Sequence, residues 1–572
     1  MLAYCSHTAT NVRVCGVYTE VLRQWMSTSK TMLRLPLPPL WRNTFQLIGA
    51  WLSSGLWKHR RIDQIRANWG QEVSKEHWLA TRLFDLTRGT AGDTVDDRTW
   101  ADLEFERLFS SIDSTITPLG SQYLYSKMRT YRSDATELAK NYAAYQLLRH
   151  ETALREQLQL SLQSLRSDSD AHICDSLFDH PPARRGLNGL VLLMSLVSIS
   201  VLVAAILHPA LLWLMVCVTL GNLLIVAFLH RGIHETFQIT GRLGKMIAVA
   251  ACLARMPSAT SISQLSRLRE IFSETPELRG SFRWFLADRS NDLLASIYLW
   301  LDLLFLADHV AAILVERKLR RHRDVLAQMF VQIGSLDADI AIASWLERIP
   351  LHCEPQSATQ KIIELRDGFH PLIAAPIANS IDLRGQSALI VGSNMAGKTT
   401  FIKMVGTNII LGRTLGVCFA SAAALPQATV MASIRAEHSI ESGKSHFFAE
   451  LERILSFVNQ AKQGGHVVFL IDELFRGTNT PERVAAGKAV LECLGAHAQV
   501  LVTTHDVELQ HLLKESFLTF HFVENPDLPA VFDYRLRPGI STAKNAITLL
   551  EKIGFPLEIV DEARRLSNDS KA

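Results

Sequence analysis

The chain lacks the cysteine arrangement of a secreted or zinc-binding protein. Its eight cysteines are scattered, without a C-x-x-C pair or any spacing typical of a metal site. Such unpaired thiols are typical of a reducing compartment. A large excess of one charge is also missing: the formal net charge is +3 over 572 residues, which by itself does not indicate a nucleic-acid partner. Charged residues make up only 20% and hydrophobic residues 48%, a balance that favours membrane association.

No secretory signal is evident near the N-terminus. The first apolar stretch, residues 45–57, is short and is interrupted by Gln46, Ser53 and Ser54. It is either an interfacial helix, because its large apolar residues share one helical face, or an ordinary docking helix. Residues 1–90 as a whole form an N-terminal region whose role the sequence leaves open.

Formally charged side chains are absent from residue 187 to residue 229. Two runs in this stretch, residues 187–207 and 210–229, each match the ~20 residues that a helix needs to cross a bilayer. His208 and Pro209 separate them and predict a tight turn. We predict a transmembrane helical hairpin; the alternative is a buried hairpin of a soluble protein.

The flanks of this hairpin are basic. Arg184 and Arg185 precede the first run, and Arg231 follows the second. Since positive residues favour the cytoplasmic side, both flanks are predicted to be cytoplasmic. The expected localisation is therefore membrane-anchored with two spans, with the N- and C-terminal parts on the cytoplasmic side and membrane lipid as a partner. The runs carry no acidic or basic residue except the turn histidine, which predicts an anchor rather than an ion path.

A phosphate-binding loop follows the apolar run of residues 387–391, and a helical pattern follows the loop. Its G-x-x-x-x-G-K-[ST] spacing lets successive backbone N–H groups point at phosphate oxygens. Lys398 supplies a positive charge for the β- and γ-phosphates, and Thr399 offers a hydroxyl to Mg²⁺. The candidate ATP-binding residues are Gly392, Ser393, Asn394, Met395, Ala396, Gly397, Lys398, Thr399 and Thr400.

Two further strand ends complete the candidate site. The strand-like run of residues 466–471 ends in Asp472 and Glu473. This order predicts that Asp472 holds Mg²⁺ and that Glu473 polarises the attacking water. A third strand-like run, residues 499–503, leads to His505, which can reach the γ-phosphate. Glu473 and His505 are therefore the candidate catalytic residues.

These motifs resemble those of the MutS family of DNA mismatch-repair ATPases. Residues 392–400 are similar to its nucleotide loop, in which Asn-Met precedes the second glycine. Residues 472–480 resemble its extended acidic motif, with Arg-Gly-Thr after the acidic pair. Weaker or shorter resemblances cover residues 96–105, 115–125, 367–372, 442–450, 504–505 and 534–563.

The chain also departs from the family pattern. Ser393 and Ala396 stand where members usually carry Pro and Gly, and Phe475 stands where they usually carry Gly. Mismatch-reading members wedge a Phe into the duplex from a Phe-x-Glu element in an N-terminal domain. Residues 1–90 hold no such element and are too few for that domain, and the DNA-gripping clamp is not recognisable. The resemblance therefore implies the ATPase machinery but not mismatch reading.

The resemblance implies a homodimer that forms through the ATPase domains and uses ATP and Mg²⁺. In such dimers the signature segment of one subunit completes the site of the other, so Ser445 would face the partner's γ-phosphate. Ser445 can equally be the N-cap of the helix that runs through Ile454, and both roles are compatible. DNA is a candidate partner on the same grounds.

The expected fold is an α/β P-loop (ABC/MutS-like) ATPase domain preceded by an all-α core and lever region that contains the two-helix transmembrane hairpin. Strand–helix alternation across residues 360–525 predicts a mostly parallel sheet covered by helices. The predicted divisions are an N-terminal region 1–90, a first core part 91–186, the hairpin 187–229, a second core and lever part 230–350, and the ATPase domain with C-terminal helices 351–572.

The expected function is that of a membrane-anchored MutS-like ATPase that couples ATP binding and hydrolysis to conformational change, and the sequence leaves open whether it has a DNA-binding or mismatch-repair role. The alternative is a nucleotide-gated membrane scaffold or adaptor without a DNA role. A half-size ABC exporter fits poorly, because two spans form no substrate path and the Leu-Ser-Gly-Gly-Gln signature is absent.

A basic cluster, defined here as Arg317, Lys318, Arg320, Arg321 and Arg323, follows an apolar stretch. It could contact DNA phosphates or anionic lipid headgroups, or it could be a solvated helix face beside Glu316 and Asp324. Trp300 and the leucines that follow it are predicted to belong to the core.

Overall fold

Two compact units make up the chain, Met1–Ala67 and Asn68–Ala572. The computed structural model describes residues 60–73, 75, 79–89, 93–179, 185–256, 262–276, 300–349, 351–358, 361–393, 396–434, 446–475, 478–524, 532–540 and 546–569. Residues 60–67, the described part of the first unit, are helical. The apolar stretch 45–57 and the residues Asn394, Met395 and Ser445 lie outside the described residues.

The first half of the second unit is helical, and polar caps determine where several helices begin. The carboxylate of Asp96 accepts the N–H of Thr99, and the hydroxyl of Thr117 accepts the N–H of Gly120 at a helix whose first residue is Pro118. The helices are α1 Arg82–Thr87, α2 Asp97–Asp102, α3 Phe105–Ile112, α4 Pro118–Arg129, α5 Ala135–His150, α6 Thr152–Leu162, α7 Ile173–Phe178, α8 Arg185–Leu207, α9 Leu212–Ala254, α10 Ser263–Glu274, α11 Ala307–Arg321 and α12 Arg323–Arg348.

Helix α12 is the centre of this helical part. It is long and apolar enough to cross a membrane, but 72% of its most apolar window is buried among the surrounding helices, so it is a core helix. Its Asp337 carboxylate accepts the backbone N–H and the hydroxyl of Thr117, both at 2.7 Å. A Cβ on Gly334 would lie 2.8 Å from the carbonyl oxygen of Leu119, so glycine allows α4 to approach closely.

Helices α8 and α9 form a helical hairpin at the predicted place in the chain, and many of their large apolar residues are exposed. Only 22% of the window Asn188–Leu207 and 6% of Pro209–Phe228 are buried. Both are long and apolar enough to span a bilayer. Helix α9 is 43 residues long and continues without a break to Ala254, across the boundary predicted at residue 229. Its C-terminal half buries Leu243, Met246 and Ala250 in the main core.

The second half of the unit is an α/β structure with two sheets. The six-stranded sheet has the order β10-β9-β4-β8-β7-β6, and its neighbouring strands are parallel except β10 against β9. In chain order, the strands and helices of this half are β1 Gln356–Ala358, β2 Ile362–Gly368, β3 Asn379–Arg384, β4 Ser387–Val391, α13 Lys398–Thr414, β5 Ala422–Pro426, β6 Thr429–Ser433, α14 His446–Gln463, β7 Val467–Asp472, α15 Thr480–Gly495, β8 Gln499–Thr504, α16 Val507–Leu513, β9 Phe517–Glu524, β10 Phe532–Pro538, α17 Ala546–Ile553 and α18 Leu557–Asp569.

The six-stranded sheet agrees with the prediction of a mostly parallel sheet, but the second sheet was not predicted. It has four strands in the order β1-β5-β2-β3, and β2 pairs antiparallel with both neighbours. Strand β2 alternates buried and partly exposed residues over its first four positions, which is typical of a half-buried antiparallel strand. Strand–helix alternation could not reveal this sheet, because β3 follows β2 in the chain with no helix between them.

The helical part covers the β6 edge of the six-stranded sheet. Three backbone N–H groups at alternate positions, those of Val430, Ala432 and Ile434, donate to side chains of the helical part. The acceptors are the Tyr131 hydroxyl at 3.0 Å, the Thr99 hydroxyl at 2.9 Å and the Asp102 carboxylate at 2.8 Å. These bonds satisfy an otherwise open sheet edge and fix the six-stranded sheet against α2 and Tyr131.

Candidate nucleotide site

The candidate phosphate loop lies between a buried central strand and a helix. Strand β4 is buried along its whole length and pairs with β8 and β9, and helix α13 begins at Lys398. Gly397 has a φ of 97°, and a Cβ there would lie 3.1 Å from the ring of Tyr534, so two constraints require glycine. Ala396 is buried and does not adopt a left-handed φ, which explains why a residue with a Cβ is tolerated there.

Lys398 is buried inside this loop. Its side chain is 2% exposed, and its Nζ donates to the carbonyl oxygens of Gly392 at 2.6 Å and Ser393 at 2.8 Å. The same Nζ lies 3.6 Å from the carboxylate of Glu473. The Lys398 amino group thus lies at the place where the sequence predicts phosphate oxygens. Thr400, by contrast, is exposed on the first turn of α13.

Thr399 and Asp472 meet at the carboxyl edge of the sheet. The Thr399 hydroxyl donates to one oxygen of the Asp472 carboxylate at 2.9 Å, and the Thr503 hydroxyl donates to the other. A hydroxyl and a carboxylate are hard oxygen ligands of the kind that Mg²⁺ prefers. The residues that the sequence assigned to the metal are therefore adjacent and fit a magnesium ion chemically.

Glu473 lies between Lys398 and His505. Its backbone adopts a left-handed φ of 55° and its N–H donates to the carbonyl oxygen of Thr503 at 3.0 Å. The His505 ring nitrogen Nδ1 lies 3.6 Å from Oε2 of the Glu473 carboxylate, whereas the Lys398 contact is to Oε1. The carboxylate is buried, whereas the histidine is partly exposed. The two candidate catalytic side chains are thus brought together next to the loop.

Sequence reasoning missed an ion pair that holds this histidine. Arg483 in α15 binds the Asp506 carboxylate through Nη2 at 2.6 Å and Nε at 2.8 Å. Its Nη2 also lies 3.4 Å from the His505 Nε2. The hydrogen bonds that Arg483 donates to the Asp506 carboxylate raise the pKa of its guanidinium, so the pair stays charged. No sequence signal joins these residues, because they are 23 positions apart on separate elements.

Phe475 occupies a backbone conformation that usually requires glycine. Its φ is 61°, which is strained for a residue with a Cβ. Two contacts hold it there: its N–H donates to the Glu450 carboxylate at 2.5 Å, and its ring packs against Phe447 at 6.3 Å between centroids. The departure from the family pattern at this position is therefore compensated by contacts to α14.

Comparison with known proteins identifies this part of the chain. Residues 388–570 match MutS domain V, and the chain is 28% identical over 268 residues to the DNA mismatch repair protein MutS of Chloroflexus aurantiacus, covering 44% of this chain and 27% of that protein. It is 33% identical over 230 residues to the Endonuclease MutS2 of Lactiplantibacillus plantarum, covering 38% and 28%. It is 26% identical over 258 residues to MutS of Thermus thermophilus, covering 44% and 31%.

The fold and the site define an ATPase-type α/β domain attached to a helical region. The ATPase-type part of the chain, residues 388–570, belongs to the MutS family. The chain aligns with only 27% to 31% of the length of these relatives, so the family is shown by the ATPase-type domain and not by the whole protein.

Proposed function

We propose that this protein is a membrane-anchored MutS-like P-loop ATPase that couples ATP binding and hydrolysis to conformational change. The observation that carries the proposal is the convergence of buried Lys398 with the Thr399–Asp472 pair at one edge of the sheet. A nucleoside triphosphate with its metal requires a cation for the phosphates and oxygen ligands for the metal. Lys398 supplies the cation, and Thr399 and Asp472 supply the oxygen ligands.

Each residue of the site has a distinct role in this proposal. Lys398 holds the β- and γ-phosphates, and exchanges its bonds to the loop carbonyls for bonds to phosphate oxygens. Thr399 and Asp472 hold Mg²⁺, which when bound neutralises charge on the phosphate oxygens. Glu473 orients the attacking water and accepts its proton. His505 contacts the γ-phosphate, and Ser445 completes the site of the partner in a homodimer.

Contacts between α13 and the helical part provide a route from the site to the lever helices. The Lys403 Nζ binds the Glu104 carboxylate at 2.8 Å, and the Tyr145 hydroxyl donates to the carbonyl oxygen of Leu415 at 3.2 Å. Because α9 runs unbroken from the core into the hairpin, displacement of the core is transmitted to the hairpin.

Membrane anchoring rests on the outward-facing apolar surface of the hairpin. Large residues along both helices are exposed, including Leu193, Leu196, Val216 and Phe228. A contiguous apolar surface of this kind is unfavourable in water and fits the hydrocarbon of a bilayer. We propose two spans, with the N- and C-terminal parts of the chain on the cytoplasmic side, where ATP is available.

DNA is proposed as a partner on the strength of family membership. The basic cluster gives limited support, because Arg323 donates to the carbonyl oxygens of Leu177 and Asp179, and Arg320 pairs with Glu316 at 2.7 Å. The alternative is a nucleotide-gated scaffold without DNA. Titration with paired and mispaired duplexes at several salt concentrations distinguishes the two, because phosphate contacts make binding salt-dependent.

Calorimetry with ATP and magnesium tests the nucleotide site. We expect heat of binding for the intact protein and, for Lys398→Ala, an affinity lower by about 10-fold to 100-fold, because hydrogen bonds to charged groups contribute about 1.5–3 kcal/mol. The control is Lys462→Ala, which removes an exposed lysine from the last turn of α14 and should bind ATP normally. Absence of heat with the folded wild-type protein would refute the nucleotide site.

We predict that the Arg483–Asp506 ion pair positions His505 and thereby affects the turnover number. Arg483→Met removes the guanidinium that binds Asp506 beside His505, and we expect kcat to fall by about 10-fold to 100-fold, as for other groups that orient a site residue, while the Kd for ATP is unchanged. Lys488→Met is the matched control, because it removes a cation of the same helix that pairs only with exposed Glu492. Equal kcat values for the two variants would show that the pair does not position the histidine.

A further inference from the structure

A third apolar segment packs against the hairpin. Residues 300–305 are helical, Leu306 adopts a left-handed φ of 53°, and α11 begins at the next residue. Leu306 and Ile313 form a buried cluster with Val191 of α8. The prediction that this region is core is correct for Leu306 but wrong for Trp300, which is 62% exposed.

Asn222 defines the depth of this contact along the hairpin. It lies ten residues beyond Leu212, the first residue of α9, which corresponds to about 15 Å at 1.5 Å per residue. That distance is half of the ~30 Å hydrocarbon core. The Asn222 side-chain nitrogen donates to the carbonyl oxygens of Leu303 at 3.2 Å and Leu304 at 2.9 Å. The helix of residues 300–305 therefore ends at mid-depth of the hairpin.

From this depth, α11 runs towards the basic flanks of the hairpin. The hairpin residues that pack on Leu306, Val310 and Ile313 all lie on the flank side of Asn222 and its partner Ser198; they are Val191, Leu192, Met194, Ile225 and Val226. Arg317 lies 11 residues beyond Leu306, or about 16 Å along a helix. The exposed arginines of the basic cluster thus reach the level of the headgroups.

Side chains bond the backbone groups at the break in the helix, while the buried His309 Nε2 and Asn222 Oδ1 have no hydrogen-bond partner in the described part of the chain. The Asp302 carboxylate accepts the N–H of Asp308 at 3.0 Å and pairs with the His309 Nδ1 at 2.9 Å. The Asn222 side chain donates hydrogen bonds to the last carbonyl groups of the helix of residues 300–305, as described above. Irregular backbone at membrane depth is tolerated only where it is buried in protein and its polar groups are paired. The Asp302 and His309 side chains are both buried, which shields their polarity from lipid.

We propose that residues 300–321 form a third membrane-inserted element, a half-span that leads from the bilayer midplane to its cytoplasmic surface along the hairpin. Trp300, Leu301 and Leu314 face the acyl chains, and the exposed arginines Arg317, Arg320 and Arg321 contact anionic headgroups. The surface is continuous with the apolar face of the hairpin, so its occupant is the same bilayer. This inference rests on the proposed membrane anchoring.

Photo-crosslinking to lipid tests the half-span. A benzophenone amino acid is placed singly at Leu193, Leu314 or Leu455, whose exposed fractions are 57%, 56% and 58%. The full-length variants are reconstituted into vesicles of phosphatidylcholine and phosphatidylglycerol and irradiated, and lipid adducts are measured by mass spectrometry. Leu193 reports on the hairpin, and Leu455 of α14 reports on the water-exposed ATPase-type domain. We expect adducts at Leu193 and Leu314 in comparable yield and none at Leu455.

The outcomes separate this inference from the proposed function. Adducts at Leu193 but not at Leu314 would overturn the half-span and leave the anchor intact. Absence of lipid adducts at both Leu193 and Leu314 would overturn the anchor and the half-span together. A protein–protein adduct at Leu314 in place of lipid would show that the face joins copies of the chain, which also overturns the half-span.

A second variant tests the role of Asn222. Asn222→Leu keeps the hairpin apolar but leaves the carbonyl groups of Leu303 and Leu304 unpaired. We expect the lipid adduct at Leu314 to be lost while the adduct at Leu193 is retained. An unchanged adduct at Leu314 would overturn the assignment of Asn222 as the residue that holds the half-span at mid-depth.

Discussion

Replacement of Glu473 by glutamine is expected to lower the rate of ATP hydrolysis by about 10²-fold to 10⁴-fold, the range for removal of a general base. The substitution keeps the size of the side chain but removes the group that accepts a proton from water. ATP binding should be retained, because the phosphate contacts of Lys398 and the oxygen ligands of Thr399 and Asp472 are unchanged. The measurements are phosphate release at saturating ATP and calorimetric titration of the same variant.

Glu482→Gln is the control for this experiment. Glu482 is an exposed carboxylate with the same charge as Glu473. It lies in the first turn of α15, the helix that follows β7 and Glu473 in the chain. Its substitution should leave turnover unchanged. Wild-type turnover in Glu473→Gln would refute the catalytic role of that carboxylate and would leave the proposal of nucleotide binding intact.

Replacement of Lys127 by methionine is expected to lower the free energy of unfolding by about 3–5 kcal/mol, the usual cost of breaking a buried ion pair. The Lys127 Nζ binds the Asp339 carboxylate at 2.7 Å and the Tyr145 hydroxyl at 2.9 Å, and both charged side chains are buried. Burial lowers the pKa of Lys127, but the Asp339 carboxylate together with the nearby Tyr145 and Tyr123 raises it by more, so the pKa lies above its ordinary value and the lysine stays charged. The variant leaves that carboxylate without its cation. Pulse proteolysis of the detergent-solubilised protein in urea measures the loss.

Two further variants show whether the loss comes from the unpaired charge. Lys140→Met removes an exposed lysine from α5 and should change stability by less than about 0.5 kcal/mol. The double variant Lys127→Met/Asp339→Leu replaces both charges with apolar groups and should recover a large part of the loss. If the double variant is no more stable than Lys127→Met, the unpaired carboxylate is not the cause.

The location of the site could be predicted from sequence because its motifs are local. A buried strand, a glycine-containing loop and a helix follow each other directly in the chain, and this order fixes Lys398 and Thr399 at the helix start. The acidic pair at the end of β7 was identified in the same way, by its position after an apolar run. Parallel strands bring their carboxyl ends to one edge, so the meeting of Thr399 with Asp472 followed from the fold class.

Other parts of the site could not be predicted, because they depend on contacts between distant elements. Arg483 and Asp506 lie on α15 and just before α16, and only the packing of these helices brings them together beside His505. The left-handed conformation of Phe475 is likewise visible only in the backbone geometry. The predicted domain divisions, the trans role of Ser445 and the dimer remain predictions.

The sequence by itself determined which residues make up the candidate nucleotide site and that two apolar helices are present, because spacing and hydrophobic runs act within one element at a time. Tertiary structure decided how these parts are connected. It covers the β6 edge with Tyr131, Thr99 and Asp102, makes α12 a core helix although its composition would suit a membrane, and places residues 300–321 along the hairpin. The physical reason is that burial and long-range hydrogen bonding depend on which surfaces meet, and no local pattern encodes that.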